Sequence, residues 1–212
     1  PHPCLYGSGG VFFYNTMKIA ILGFGQEGKA ILKYFKKTPE FKKASISVLD
    51  KKLNKNYLKN LEKFDVVFRS PGIPYNLPEI QNAIKKGVEF SSSTKLFFNE
   101  ANKIGCKIIG ITGTKGKGTT STLLYKILKA TKKDVYLAGN IGKPAIELLP
   151  KIKKNSIIIL ELSSFQLQDL NPPAGGPQIA VVLDIFQDHL DSHKNFKEYI
   201  NAKNSISKYQ KS

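Results

Sequence analysis

The chain has 212 residues, 41% of them hydrophobic, and a formal net charge of +17 at pH 7. Such a composition can bury a core in one large or two modest domains, which excludes a disordered chain, and no apolar run reaches the ~18 residues of a membrane-spanning helix. The positive charge suggests nucleic-acid binding, but Arg69 is the only arginine and lysines are scattered along the whole chain, so we expect solvated faces and no nucleic-acid partner.

The start of the chain and its cysteines bear on where the protein works. Residues 1–16 lack clear periodicity and precede Met17, which stands directly before a strand-like segment. We interpret them as an upstream extension and not as a signal peptide, because no charged region precedes an apolar one. Cys4 and Cys106 give neither a disulfide framework nor a metal-binding pair, which favours a reduced, cytoplasmic setting. We further expect a monomer without membrane insertion.

Short β-branched runs alternate with helical patterns, which predicts parallel βαβ units. For a first domain, residues 17–103, we predict strands at 18–23, 45–50, 65–69 and 88–90, and helices at 26–37 and 77–86. For a second domain, residues 104–212, we predict strands at 107–112, 134–138, 156–162 and 178–184, and helices at 117–130 and 195–209. The predicted fold class is α/β, with a Rossmann-like domain followed by a second nucleotide-type domain whose few strands suggest that it is incomplete.

The first glycine-rich segment is Gly23-Phe24-Gly25-Gln26-Glu27-Gly28, which satisfies G-x-G-x-x-G between a predicted strand and helix. Asp50 ends the next strand. Such glycines let backbone N–H groups approach a diphosphate at a helix N-terminus, which predicts a site for a dinucleotide or a nucleotide-sugar diphosphate. A purely structural turn is the alternative. The segment RSPGIP, residues 69–74, follows the third strand and is either a ligand-facing turn or a plain one.

The second glycine-rich segment, GITGTKGKGTTST at 110–122, follows a predicted buried strand and leads into a helix. Its amides can surround an anion, and Lys117 can add a point charge at the β- and γ-phosphates of a nucleotide. It departs from G-x-x-x-x-G-K-[ST], because Ile111 replaces the first glycine and Gly118 stands where a magnesium-binding hydroxyl is expected. Thr119 or Thr120 would then supply that hydroxyl. The alternative is a glycine-rich connector.

Three further residue types raise the question of a metal. Glu161 ends an apolar strand, where a carboxylate is costly unless paired, so we predict a Mg²⁺ ligand, with a buried salt bridge to lysine as the alternative. His189 follows the last predicted strand and is either a metal ligand or an isolated surface histidine. His193 is predicted to be exposed. Lys203 lies in a helical pattern that by itself predicts a solvent-facing side chain.

Taken in order, these segments resemble the Mur ligases. The matching segments are GFGQEG, SPGIP, ITGTKGKGTTST, AGNIGKPAIELL, ELSSFQLQDL and DHLD followed by YINAK. ELSSFQL together with GNIG favours the D-glutamate-adding members. The loop signature of the family is G-T-x-G-K-[ST]-T, and residues 113–119 match it except at Gly118.

The resemblance implies an ATP- and Mg²⁺-dependent ligase of peptidoglycan precursor synthesis that joins D-glutamate to UDP-N-acetylmuramoyl-L-alanine through an acyl phosphate. It implies catalytic roles for Lys117, Glu161, His189 and Lys203, the last matching a lysine that family members carry as a carbamate. The implied ATP-binding residues are Gly113, Thr114, Lys115, Gly116, Lys117, Gly118 and Thr119. The implied metal ligands are Thr119, Glu161, His189 and carbamylated Lys203. The implied UDP-binding residues are Gly25, Gln26, Glu27, Asp50, Lys51, Ser70, Pro71 and Gly72, and those for the muramoyl-alanine group are Asn140, Ser163 and Gln166.

Mur ligases also carry a third, C-terminal domain, and these 212 residues contain no counterpart of it or of the later part of the central domain. We therefore expect the chain alone to show little or no ligase turnover. The alternative functions are another Mur-type ligase and a non-catalytic nucleotide-binding module. A dehydrogenase is a further alternative, which absence of NAD binding would remove. Separate measurements of ATP and UDP-sugar binding, followed by turnover, distinguish ligase from binder.

Overall fold

A computed structural model of the chain describes residues 17–170, 175–188 and 193–208. Two compact units are present, and they divide between Ser93 and Thr94. Each unit contains a four-stranded, fully parallel sheet. The predicted extension at residues 1–16 lies outside the described residues. None of the described helices is both long and apolar enough to cross a membrane.

The first unit is built on a sheet with the strand order β2-β1-β3-β4. Its elements are β1 (Lys18–Leu22), α1 (Gln26–Lys37), β2 (Ser45–Leu49), β3 (Val66–Arg69), α2 (Pro78–Lys85) and β4 (Glu89–Ser91), with short 3₁₀ helices at Pro39–Phe41 and Leu61–Lys63. The central strands are almost wholly buried, as their continuous apolar runs require. The strand order reverses between β1 and β3, so the loops after these strands border the crevice where such sheets bind ligands.

The second unit is built on a sheet with the strand order β6-β7-β5-β8. Its elements are α3 (Ser93–Ile104), β5 (Lys107–Thr112), α4 (Lys117–Ala130), β6 (Val135–Gly139), β7 (Ile157–Glu161), α5 (Ser164–Leu167), β8 (Ile179–Val182) and α6 (Phe196–Lys208), with a short 3₁₀ helix at Ala145–Leu148. The order reverses between β5 and β8. Because all four strands are parallel, the loops after β5, β7 and β8 meet at one edge of the sheet.

Helix α3 is an element that the sequence analysis did not predict. Phe97, Phe98 and Ala101 on this helix are fully buried in the core of the second unit, together with Ile108 and Ile158 of its sheet. The helix therefore packs with the second unit. The division of the chain lies at the start of this helix, whereas the sequence analysis placed a domain boundary at its end.

The strands and helices that the sequence predicted coincide closely with the observed ones, and α1, β5 and α4 have the predicted bounds. These three segments carry strong signals. β5 is a β-branched run after a polar stretch, and both helices start directly after glycines and end at lysine-rich or polar residues.

Candidate functional site

The loop between β5 and α4 turns sharply from a buried strand into a helix. Gly113 has a φ of +151° and Gly116 a φ of +80°, a region that favours glycine. A Cβ at Gly113 would also lie only 2.7 Å from the Cβ of Leu183, just after β8. The N–H groups of the first turn of α4 have no carbonyl within the helix to bind. This loop and helix start therefore form a potential anion site.

Thr114 fixes this loop to its surroundings. The loop comprises residues 113–118 and is named the phosphate loop after its sequence motif. The N–H of Thr114 donates to the carbonyl oxygen of Asp184 at 2.9 Å, and its hydroxyl accepts from the N–H of Phe186 at 3.0 Å. The hydroxyl also lies 2.9 Å from that of Tyr199 on α6. The N–H of Thr114 is thus used by the protein itself, so an anion would depend on the amides that follow it.

Two lysines supply positive charge at the loop. Nζ of Lys117 donates to the carbonyl oxygen of Thr114 at 2.9 Å, so the ammonium group lies over the turn. Lys115 is exposed and borders an open cavity of about 420 Å³. The other residues lining the cavity are Gly116, Thr120, Val182, Leu183 and Asp184. The cavity extends from the phosphate loop to the end of β8.

Glu161 ends β7 and pairs in register with Ile111 of β5, which brings its carboxylate beside the phosphate loop. The residue is 3% exposed, and its Oε1 accepts from Nδ2 of Asn140 at 3.1 Å. Oε2 has no hydrogen-bond partner among the described residues. It faces α4, since a Cβ on Gly118 would lie 3.3 Å from it. The alternative of a buried salt bridge is not seen in the described part of the chain, so this buried oxygen is available to bind a cation or another donor.

Lys203 reaches the phosphate loop from α6. Its side chain is 2% exposed, so the solvent-facing position predicted from the helical pattern alone is wrong. Nζ donates to the carbonyl oxygen of Gly113 at 2.7 Å and lies 4.6 Å from the ring centre of Tyr199. Burial, and after it the nearby ammonium group of Lys117, lowers the pKa of Lys203 to about 8. The amine is therefore far more easily deprotonated than an exposed lysine.

Of the two histidines considered in the sequence, the structure describes only His193. His189 lies outside the described residues. His193 is 2% exposed, so the prediction that it is exposed is wrong. Its Nε2 lies 3.0 Å from Oγ of Ser164, its Nδ1 lies 3.2 Å from Nε2 of Gln168, and its ring stacks on that of Phe165. The imidazole thus joins the start of α6 to the short helix α5.

The predicted muramoyl-binding residues of the second unit surround the end of β7. Ser163 and Gln166 form a capping box at the start of α5, in which Oγ of Ser163 accepts from the N–H of Gln166 at 3.3 Å. The N–H of Asn140 donates to the carbonyl oxygen of Glu161 at 2.8 Å. All three side chains have partners within the protein, and their role toward a substrate stays a prediction.

In the first unit, the G-x-G-x-x-G turn is tied to the ends of the neighbouring strands. The carboxylate of Asp50 accepts from the N–H of Phe24 at 2.6 Å and from that of Lys52 at 2.8 Å. The bond from Lys52, and then that from Phe24, lowers the pKa of Asp50. Oγ of Ser70 donates to the carbonyl oxygen of Gly23 at 2.8 Å. Asp50 and Ser70 thus hold the turn in place, a role that the motif alone did not predict.

The predicted UDP-binding residues share one edge of the first sheet. They lie in the loops after β1, β2 and β3 or in the first turn of α1: Gly25, Gln26, Glu27, Asp50, Lys51, Ser70, Pro71 and Gly72. Among these, the carboxylate of Glu27 accepts from the hydroxyl of Ser93. The loops after β1 and β3 flank the point where the strand order reverses, which is the expected ligand crevice.

Sequence reasoning assigned no role to Arg69 and Tyr199. Arg69 is fully buried, donates to the carbonyl oxygen of Ile73 and lies 5.5 Å from the ring centre of Tyr75, so it holds the SPGIP turn from inside. Arg69 is the only arginine of the chain, and this could have marked it as a residue with a specific role. Tyr199 is 1% exposed and bonds Thr114. Its sequence pattern showed only a helical apolar face.

The comparisons with known proteins agree with this geometry. Residues 111–212 match the Mur ligase middle domain. The matched segment, residues 111–212, therefore belongs to the Mur ligase family, and it lies in a parallel α/β unit with a glycine-rich loop beside a buried carboxylate. The predicted resemblance and fold class are confirmed.

Its relatives narrow this further. The chain is 37% identical over 212 residues to the UDP-N-acetylmuramoylalanine–D-glutamate ligase of Acetivibrio thermocellus, and 34% identical over 216 residues to that of Clostridium botulinum. These alignments cover 92% and 94% of this chain but 44% and 46% of the relatives. The chain thus spans about half the length of the curated relatives it matches.

A solved structure shares the fold. The UDP-N-acetylmuramate:L-alanyl-gamma-D-glutamyl-meso-diaminopimelate ligase from Neisseria meningitides superposes with a TM-score of 0.50 over 93% of this chain and 69% of that one. The sequence identity is 14%, so this similarity supports the α/β architecture alone.

Proposed function

We propose that the chain supplies the UDP-substrate unit and the ATP-binding unit of a ligase that joins D-glutamate to UDP-N-acetylmuramoyl-L-alanine. The proposal assigns ATP and Mg²⁺ to the second unit and the UDP group to the first. It is supported by the relatives that carry the D-glutamate ligase name and align with more than nine-tenths of this chain. We further propose that the protein works in the cytoplasm as a monomer in peptidoglycan precursor synthesis.

The observation that carries the nucleotide assignment is the carboxylate of Glu161. An oxygen of this buried side chain has no hydrogen-bond partner among the described residues and faces the first turn of α4. A buried, unpartnered carboxylate oxygen is costly, whereas beside a triphosphate it would meet a divalent cation. Glycine-rich loops elsewhere in the chain do not face such a group in the described structure, so this pairing favours the 113–118 loop as the ATP site.

The residues present fit a magnesium ion bound together with phosphates. Within the described residues, no three His, Cys, Asp or Glu side chains cluster as a metal site. That agrees with Mg²⁺, which keeps several waters and is bound through one or two carboxylates plus phosphate oxygens. Glu161 would supply one ligand, and His189 and a carbamylated Lys203 are the further candidates. When bound, the ion would offset negative charge on the transferring phosphoryl group.

The chain's own residues have defined tasks in such a reaction. The substrate carboxylate attacks the γ-phosphorus and ADP leaves, and the D-glutamate amine then attacks the acyl carbon, expelling phosphate. The first-turn amides of α4 and the ammonium group of Lys117 would hold the phosphates and stabilise charge as it develops. Lys117 would exchange its bond to the carbonyl oxygen of Thr114 for one to a phosphate oxygen. Lys203 would keep Gly113 in place or, once carbamylated, contribute an anion to a metal site.

In the first unit, the turn held by Asp50 and Ser70 would bind the UDP group. The fixed turn presents the start of α1, where N–H groups and the helix dipole favour a diphosphate. Lys51 adds positive charge beside it. Because Asp50 already bonds Phe24, its proposed contact with the nucleotide adds to a structural role.

Calorimetric titration of the 212-residue chain tests the proposal. We expect Mg·ATP and UDP-N-acetylmuramoyl-L-alanine each to bind at one site, independently, and NAD to give no heat. We also expect little or no phosphate release when D-glutamate is added to both. Failure to bind either substrate would contradict the proposal, and tight NAD binding would favour a dehydrogenase instead.

Carbamylation of Lys203 is a separate prediction. With a pKa of about 8, the amine is half neutral near pH 8, and its nitrogen can attack CO₂ and release a proton to give a carbamate. We expect ¹³C-bicarbonate to produce one carbamate signal in the ¹³C NMR spectrum, which Lys203→Arg removes. Lys197→Arg, an exposed position on the same helix, is the matched control and should keep the signal. Persistence of the signal in Lys203→Arg would contradict the assignment.

A further inference from the structure

Gly118 is the second residue of α4, at the position where phosphate-loop sequences carry a hydroxyl that binds magnesium. A Cβ built there would lie 3.3 Å from Oε2 of Glu161. A side chain at this position would therefore contact the carboxylate. Glycine instead leaves the carboxylate oxygen open toward the first turn of the helix.

The carboxylate of Glu161 is held in that direction. Oε1 accepts from Nδ2 of Asn140, and the main chain of Asn140 bonds the carbonyl oxygen of Glu161 at 2.8 Å. Rotation of the carboxylate would break the bond between Oε1 and Nδ2 of Asn140. Oε2 is a buried carboxyl oxygen without a hydrogen-bond partner in the described part of the chain.

We propose that Gly118 makes Glu161 the principal protein ligand of the cation that accompanies the nucleotide. Oε2 of Glu161 contacts this divalent cation directly, and a water molecule takes the coordination position that a loop hydroxyl fills in the general pattern. This inference rests on the proposed ATP site and adds the consequence of glycine at 118. Mg²⁺ readily keeps waters in its octahedral shell, so exchanging a hydroxyl for water is compatible with binding.

Helix geometry argues against replacement of the missing hydroxyl by its neighbour. Successive residues of an α-helix are rotated by about 100°, so Thr119 points away from the direction that a side chain at Gly118 would take. Thr119 is exposed, whereas Glu161 is buried. Thr120 lines the cavity beside Asp184. Neither threonine therefore takes the direction that a side chain at Gly118 would take.

A double-mutant cycle on the 212-residue chain tests this, with Mn²⁺ as the spectroscopic probe and a non-hydrolysable ATP analogue. In the Gly118 background, we expect Glu161→Gln to weaken Mn²⁺ binding on the order of 10- to 100-fold, as losses at metal sites commonly do. In the Gly118→Ser background, the new hydroxyl is a second ligand, so we expect Glu161→Gln to weaken Mn²⁺ binding by less than about fivefold. Gly118→Ala adds the Cβ alone and should keep the full dependence on Glu161.

Two further measurements sharpen the result. Electron spin echo spectroscopy in D₂O should find one more water on Mn²⁺ in the unmodified chain than in Gly118→Ser. Thr119→Ala should leave the Mn²⁺ affinity within about twofold. Circular dichroism verifies folding, and Glu161→Asp, which withdraws the oxygen by one methylene, replaces Glu161→Gln if that variant does not fold.

The outcomes separate this inference from the function on which it rests. If Mn²⁺ and the analogue bind but Glu161→Gln has equal effects in both backgrounds, or Thr119→Ala weakens binding as much as Glu161→Gln, the role of Gly118 is overturned while the ATP site stands. If the unmodified chain binds no Mn²⁺ with the analogue, the ATP site itself fails, and this inference fails with it.

Discussion

Lys117→Ala is expected to abolish measurable ATP binding while UDP-N-acetylmuramoyl-L-alanine still binds with unchanged affinity. The lysine would give charged hydrogen bonds to two phosphate groups, each worth about 1.5–3 kcal/mol. Their loss corresponds to a weakening of about 100-fold or more, since each 1.4 kcal/mol is a factor of ten. The first unit has its own sheet and core, so we expect the substitution to leave the proposed UDP site intact. Calorimetry with each ligand in turn measures both effects.

Lys126→Ala is the matched control for this experiment. Lys126 lies on the same helix, is exposed, and stands more than two helical turns beyond the loop. Its removal therefore changes the net charge by the same amount without removing a proposed phosphate contact. We expect its ATP affinity to stay within about threefold of the original, because exposed charges at such distances are largely screened. Equal loss of ATP and UDP-sugar binding in Lys117→Ala would mean that the two sites are wrongly assigned.

Gly139→Ala is expected to cause the largest loss of stability among single substitutions near the site. Gly139 ends β6 with a φ of +112°, and an added Cβ would lie 2.2 Å from the carbonyl oxygen of Glu161. The strained backbone and the overpacking cost about 1–3 kcal/mol each, so we expect the free energy of unfolding to fall by about 2–6 kcal/mol. Urea unfolding followed by circular dichroism measures this. Displacement of Glu161 should also weaken Mn²⁺ binding.

Gly142→Ala separates the two costs, because it shares the positive φ but has space for the added atom. Its φ is +75°, and an added Cβ would have no heavy atom within 4 Å beyond its chain neighbours. We expect a loss of about 1–2 kcal/mol, the cost of a left-handed conformation for a non-glycine residue. If both substitutions destabilised the chain equally, the close contact between Gly139 and β7 would not be the cause, and the tight placement of Glu161 would be in doubt.

Helix α6 links the parts of the second unit that the proposed reaction needs. Tyr199 and Lys203 both bond the phosphate loop, and Oγ of Ser205 donates to the carbonyl oxygen of Leu167 on α5 at 3.0 Å. At its start, His193 lies against Ser164. The helix therefore positions the phosphate loop, the proposed ATP site, together with the proposed substrate-binding segment, although none of its residues stood out as a phosphate ligand.

The sequence by itself determined the α/β class, the two glycine-rich turns and the bounds of elements such as β5 and α4. These depend on local signals, namely β-branched runs, helical periodicity and glycines between a strand and a helix, and such signals survive without knowledge of the partners. The motifs also sufficed to indicate the Mur ligase family and to select Glu161, because a carboxylate at the end of an apolar strand is unusual wherever the strand packs.

Only the tertiary structure decided which side chains are buried and what they contact. The helical pattern alone placed Lys203 at the surface, and His193 was predicted to be exposed. Both are buried, because Lys203 contacts the phosphate loop and His193 contacts Ser164 of α5. Helix α3 joins the second unit for the same kind of reason, since its phenylalanines fill that core. The open oxygen of Glu161 opposite Gly118 arises from strands and a helix that are distant in sequence. Contacts of this kind depend on how the elements pack in space, which local sequence patterns do not encode.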